Sequence, residues 1–121
     1  MIDIEIKPAY GMDDGYLTAK GHASPGREAV CEAVTVIENC LAANLEDTWD
    51  IKADGTTEKG YTRIWWHKTD RKGRGVERAN QAAYFAYTGL KALAMAYPEN
   101  VTVKWRRPAK PEDRWRQKEE R

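Results

Sequence analysis

Between residues 16 and 45 the apolar pattern changes from that of a strand to that of a helix, and no other feature constrains the fold as strongly. Tyr16-Leu17-Thr18-Ala19-Lys20 reads as a strand, whereas Val30, Ala33, Val34, Ile37, Leu41 and Leu45 recur at helical spacing. Neither element buries its apolar side alone, so the helix must lie on the sheet to which the strand belongs. The connection is Gly21-His22-Ala23-Ser24-Pro25-Gly26-Arg27-Glu28-Ala29. His22 therefore ends a strand and Cys31 opens a helix.

The elements on either side follow from the same periodicities. Ile2, Ile4 and Ile6 alternate with Asp3, Glu5 and Lys7, the pattern of a half-buried strand, and the residues from Tyr10 to Gly15 favour a turn. A first hairpin ending at His22 is expected. Beyond the helix, Thr48 to Ala53 and Tyr61 to His67 are strand-like, with Asp54-Gly55 in the loop of a second hairpin. Trp65 and Trp66 face opposite sides of their strand. The polar stretch from Lys68 to Gly75 predicts a loop. A second helix, about 76–97, then carries Ala79, Ala82, Ala83, Ala86, Leu90, Leu93 and Ala94 on one broad apolar face. Pro98 ends it, and Val101 to Trp105 forms a last strand. The order ββαββαβ, with about five strands and two helices, indicates an α+β two-layer sandwich.

The chain's 121 residues suit one domain. We assign residues 1–105 to it and read residues 106–121, where prolines and charges replace the apolar pattern, as a basic, flexible tail. The formal net charge is +1, yet residues 104–121 hold eight basic and four acidic side chains, which leaves residues 1–103 at about −3. No internal repeat or low-complexity segment is evident. Cys31 and Cys40 lie nine positions apart on one helix, about 13.5 Å of axial rise, too far for a disulfide. Free thiols, no apolar run of signal-peptide form and no membrane-length segment together predict a cytoplasmic protein. Cys40, beside Val36 and Ala43, is expected to pack.

An imidazole and a thiol on either side of a strand-to-helix turn are the minimum for thiol-based nucleophilic catalysis. Glu28, Cys31 and Thr35 are spaced i, i+3 and i+7 and share a helix face offset from the apolar stripe. Cys31 should then sit at the margin of the helix–sheet contact, partly exposed and within reach of His22. Ser24 followed by Pro25 reads as an N-cap and N1 pair, and Gly26 serves equally well as the cap. Either choice puts Cys31 in the second turn, past the strongest field of the helix dipole.

The pattern Gly21-His22-Ala23 at a strand end, then Gly26-Arg27-Glu28-Ala29-Val30-Cys31, then Thr35, resembles the ribosomal-processing cysteine protease family, Prp. The stretch from Thr88 to Val103 is similar to that family's closing helix and strand, so the two motifs bracket residues 1–103. The resemblance implies a cysteine endopeptidase that cleaves the N-terminal extension of a ribosomal protein or, in a phage-encoded member, a capsid or scaffold protein. It implies a His22–Cys31 dyad, with Glu28 where the family has Asp and Thr35 where it has Ser, and it implies a homodimer. Gly21, Ala23, Gly26 and Arg27 form the substrate and oxyanion loop of this reading, with amides around Gly26 to Glu28 facing the oxyanion. Two departures, a shorter His22–Cys31 connection and Glu32 directly after Cys31, point to a different substrate specificity.

No cofactor is expected. His22, His67, Cys31 and Cys40 lack the paired short spacings of structural zinc sites, so no metal site is assigned. Lys104-Trp105-Arg106-Arg107 and Arg114-Trp115-Arg116 mix aromatic and cationic groups as single-strand nucleic-acid binders do, but four acids interrupt the tail and nucleic acid is disfavoured. The competing reading is a catalytically inactive, homodimeric assembly module of the same fold, with Tyr84, Phe85 and Tyr87 on the alanine-rich helix as its contact face.

Overall fold

The computed structural model of the chain describes residues 1–10, 13–47, 51–58, 60–68 and 75–107. Alternating isoleucines form strand β1 (Ile2–Lys7), which turns back into β2 (Gly15–Gly21). Helix α1 (Glu28–Glu46) follows, then β3 (Ile51–Glu58), β4 (Tyr61–Lys68), α2 (Gly75–Ala96) and β5 (Val101–Trp105). The order is the expected ββαββαβ of an α+β fold. The strands make one mixed sheet in the order β3-β4-β2-β1-β5, antiparallel except where β5 runs parallel to β1.

Among the described residues, every buried strand residue points to one side of this sheet. Ile2, Ile4, Ile6, Leu17, Ala19, Ile64, Trp66 and Val101 meet Val30, Val34, Leu41 and Leu45 of α1 and Ala79, Ala83, Ala86 and Leu90 of α2 in a single core. Both helices therefore cover the same face. The small residues of α2 let it approach the sheet and α1 closely, as a ridge of alanines allows. Trp66 is fully buried in this layer while Trp65, its neighbour, lies on the open face under Arg63, whose guanidinium is 4.9 Å from the ring centroid. Asn80 ties α2 to the end of the first strand: its amide both accepts from the Ala9 N–H and donates to the Ala9 carbonyl, each at 2.9 Å.

Three local expectations are corrected. Asp54 and Gly55 are not the turn of the second hairpin: Asp54 pairs with Trp65 and Gly55 with Ile64 inside the ladder, and the reversal comes at Gly60, which has φ +78°. Gly60 holds the left-handed backbone that the chain reversal requires, so the Asp-Gly signal is outcompeted. Secondly, neither Ser24 nor Gly26 caps α1. The N-cap residue is Arg27, and Ser24-Pro25-Gly26-Arg27 instead forms a turn closed by the Arg27 N–H on the Ser24 carbonyl at 3.0 Å. Pro25 presets the first central position and Gly26, at φ +86°, supplies the left-handed second, the combination of a type II turn. Cys31 is consequently the fourth residue of the helix, nearer its start than expected. Thirdly, Cys40 does not pack; it is exposed, as are Val36 and Ala43 on the same outward stripe. Residues 108–121, which include most of the proposed tail, lie outside the described residues.

Candidate active site

Cys31 is brought under the end of β2 by the start of α1. Its neighbours Val30 and Val34 are buried, 3% and 4% exposed, and anchor that turn of helix to the sheet, while Cys31 itself is half-buried at the rim. The Ala23 N–H donates to the Cys31 Sγ at 3.4 Å, so the backbone just past the strand closes over the thiol. Both cysteines are free thiols.

His22 occupies the adjoining backbone position. Its imidazole lies over the β3–β4 reversal, so closely that a Cβ on Gly60 would stand 2.7 Å from Nε2. The Gly21 N–H donates to the Gly60 carbonyl at 2.8 Å and joins the same two loops. Glycine at 60 thus satisfies the left-handed turn and leaves room for the ring.

A cleft of about 180 Å³ gathers these groups. Its floor is Ile2, Ala19 and Val34; one wall is Cys31, Thr35 and Glu38 of α1; the other is Thr57, Glu58, Gly60, Tyr61 and Thr62 of the second hairpin; Gly21 and His22 close the end. Of the residues singled out from sequence, Gly21, His22, Cys31 and Thr35 converge here. Ala23 touches the site through its amide. Glu28, Gly26 and Arg27 lie outside the cleft, in the loop that leads to it.

Their hydrogen bonds show what they do in this state. Glu28 accepts the Gly26 N–H at 3.2 Å and not a bond from His22. Its own amide and that of Gly26 hold its carboxyl below the usual carboxylate range. The Thr35 hydroxyl donates to the Cys31 carbonyl at 2.9 Å, a bond along the helix. The amides of Gly21, Ala23, Gly26 and Arg27 each already have an acceptor, as does that of Ser24, bound at 2.8 Å by the Asn100 side chain.

Sequence reasoning missed two residues of consequence. Asn100, 6% exposed, fastens the loop of residues 22–27 to the start of β5, and its carbonyl also receives the Ile2 N–H at 2.7 Å. Glu38, also 6% exposed, is buried in the wall of the cleft. Burial pushes its carboxyl up from the ordinary 4.5, against the opposing pull of the Thr62 hydroxyl bonded to it. A signal was present: Glu38 continues the Glu28, Cys31, Thr35 stripe by three residues, and it also falls between Val34 and Leu41 on the buried face.

A single mixed sheet in this strand order, with two helices on one face and a thiol at the entry of the first, is a Prp-like fold. Solved structures of that kind cover almost the whole chain. The protein SMU.848 from Streptococcus mutans superposes with a TM-score of 0.66 and 26% identity over 89% of this chain and 99% of its own. The essential ribosomal processing protease Prp from S. aureus, in complex with a covalently linked product peptide, gives 0.66 and 17% over 88% and 100%. The same protease with a substrate peptide gives 0.66 at 16%. No protein-family model matches the chain, and no curated protein matches it by sequence. The chain is thus similar to a peptidase in fold, at a sequence distance that suits a divergent relative.

Proposed function

We propose that the chain is a cysteine endopeptidase that uses Cys31 as nucleophile and His22 as its proton carrier. The observation that carries this reading is the convergence of the two side chains on one cleft, with the Ala23 amide directed at the sulfur. In the reaction the Cys31 thiolate attacks the scissile carbonyl carbon and the carbonyl π electrons move to oxygen. The tetrahedral intermediate collapses to a thioester as the His22 imidazolium gives its proton to the departing amine. Neutral His22 then takes a proton from water, whose oxygen attacks the thioester; collapse expels the thiolate and leaves a carboxylic acid.

The Ala23 N–H is the donor best situated for the oxyanion, since it already lies against the attacking atom; a hydrogen bond of that type contributes about 3 kcal/mol to an acyl-transfer barrier. The amides from Gly26 to Glu28 take part only if the turn gives up its internal bonds. Glu28 braces that turn, and Thr35 supports the carbonyl of Cys31. The substrate is a protein segment, either the N-terminal extension of a ribosomal protein or, for a phage-encoded chain, a capsid or scaffold protein. A homodimer belongs to the same reading, and Tyr84, Phe85 and Met95, which are 55%, 76% and 76% exposed on α2, offer apolar surface for it.

The test needs no known substrate. Alkylation located by mass spectrometry is expected to find Cys31 more reactive than exposed Cys40 and to find that excess lost in His22→Ala. Cys31 reacting like Cys40, with or without His22, would instead favour the inactive assembly module.

A further inference from the structure

The cleft beside Cys31 has a charge pattern that the proposed chemistry does not use. Glu38 of α1 stands in its wall on the helix side of the sheet, and none of the described residues that line it is Lys or Arg. Glu38 is more than nine-tenths buried, and its carboxyl accepts a hydrogen bond from the Thr62 hydroxyl. A carboxylate presents about four lone-pair sites, so one hydroxyl leaves most of its capacity open to the cleft.

A buried carboxyl without a cation is costly, and the upward push on Glu38 is the sign of that cost. A cation placed against it would offset the desolvation and favour its charged form. The cleft, at about 180 Å³, is smaller than the roughly 300 Å³ at which small-molecule sites begin, and its depth is apolar, from Ile2, Ala19 and Val34. An apolar channel with a carboxylate at its wall suits a long aliphatic stem ending in a positive charge. Glu38 lies seven residues, about 10 Å of helix rise, beyond Cys31, and helical side chains lean back toward the N-terminus. That separation matches one extended side chain reaching from a peptide bond held at Sγ.

We propose that this cleft is a specificity subsite that takes a Lys or Arg side chain from one of the two residues flanking the scissile bond, with Glu38 as the buried counter-charge. The proposal rests on the endopeptidase reading for the word scissile, but the cation preference stands on the cleft alone.

Two measurements separate the two ideas. In the first, the purified protein is treated with a pair of methanethiosulfonates of similar size, one bearing a trimethylammonium group and one a sulfonate, and the rates at Cys31 and Cys40 are followed by mass spectrometry. The cation-to-anion rate ratio is expected to be at least about tenfold higher at Cys31 than at Cys40, and to fall severalfold in Glu38→Gln. Equal ratios at the two cysteines, or a Cys31 ratio untouched by Glu38→Gln, overturns the proposal. In the second, a mixed-sequence peptide library is digested and the cut sites are read. Enrichment of Lys or Arg beside the cut, lost in Glu38→Gln with a drop in kcat/KM of about tenfold or more, supports it. Cys31-dependent cleavage with no basic preference overturns the subsite and leaves the peptidase standing. A cation preference at Cys31 without any cleavage keeps the site and removes the peptidase reading.

Discussion

Glu38 shows how one side chain can stand against the pattern around it. On the stripe of Val34, Leu41 and Leu45 a leucine would bury apolar surface worth about 2 kcal/mol, whereas the carboxyl brings a desolvation cost. Because the folded chain holds the Glu38 proton more tightly than the unfolded chain, the stability tied to it is complete below pH 4.5 and is lost as pH rises through the raised folded-state value. Glu38→Gln keeps a partner for Thr62 and removes that loss. The Tm of the variant relative to the native protein is therefore expected to rise between about pH 4 and pH 8 in thermal melts; a difference independent of pH would contradict the assignment. The candidate thiol and imidazole were legible in the residues because their types are rare and their spacing spans a turn. Glu38 was not singled out, since a glutamate within a helix is ordinarily solvated.

At the scale of elements, the site depends on a hairpin whose reversal the local signals misplace. Asp54-Gly55 is the stronger turn dipeptide, yet the register that sets Glu58 opposite Tyr61 moves the reversal to Gly60. Ile64 and Trp66 must face the core, and a slip of one residue would turn both outward, so burial decides the register over turn propensity. Gly60 then carries a positive φ and the underside of the His22 ring at once. Gly60→Ala is expected to cost about 1–2 kcal/mol in denaturant unfolding from backbone strain, and to slow Cys31 alkylation through a displaced imidazole. The start of α1 is a similar case. Turn formation by Ser24-Pro25-Gly26-Arg27 overrides two respectable caps, and it draws Cys31 toward the helix entry.

At the scale of the whole molecule, the parallel pairing of β5 with β1 places Asn100, at the end of the crossover through α2, beside the loop of residues 22–27. Its side chain takes the Ser24 N–H across 76 positions of sequence. Asn100→Ala should cost about 1–3 kcal/mol, the loss expected when a buried amide loses its acceptor, and should loosen the loop so that hydrogen exchange at Ser24 rises. The exposed ridge of Tyr84, Phe85 and Met95 is expected to be covered in a dimer; Phe85→Glu should shift the light-scattering mass from two chains to one. By itself the sequence determined the identity and order of the elements, because apolar periods of two and 3.6 are local properties, and it determined that His22 and Cys31 flank one turn. Only the tertiary structure decided the hairpin register, the cap of α1, the exposure of Cys40, and the meeting of Glu38 and Asn100 with the site. Those depend on which distant surfaces compete for burial, a contest that no short window of residues contains.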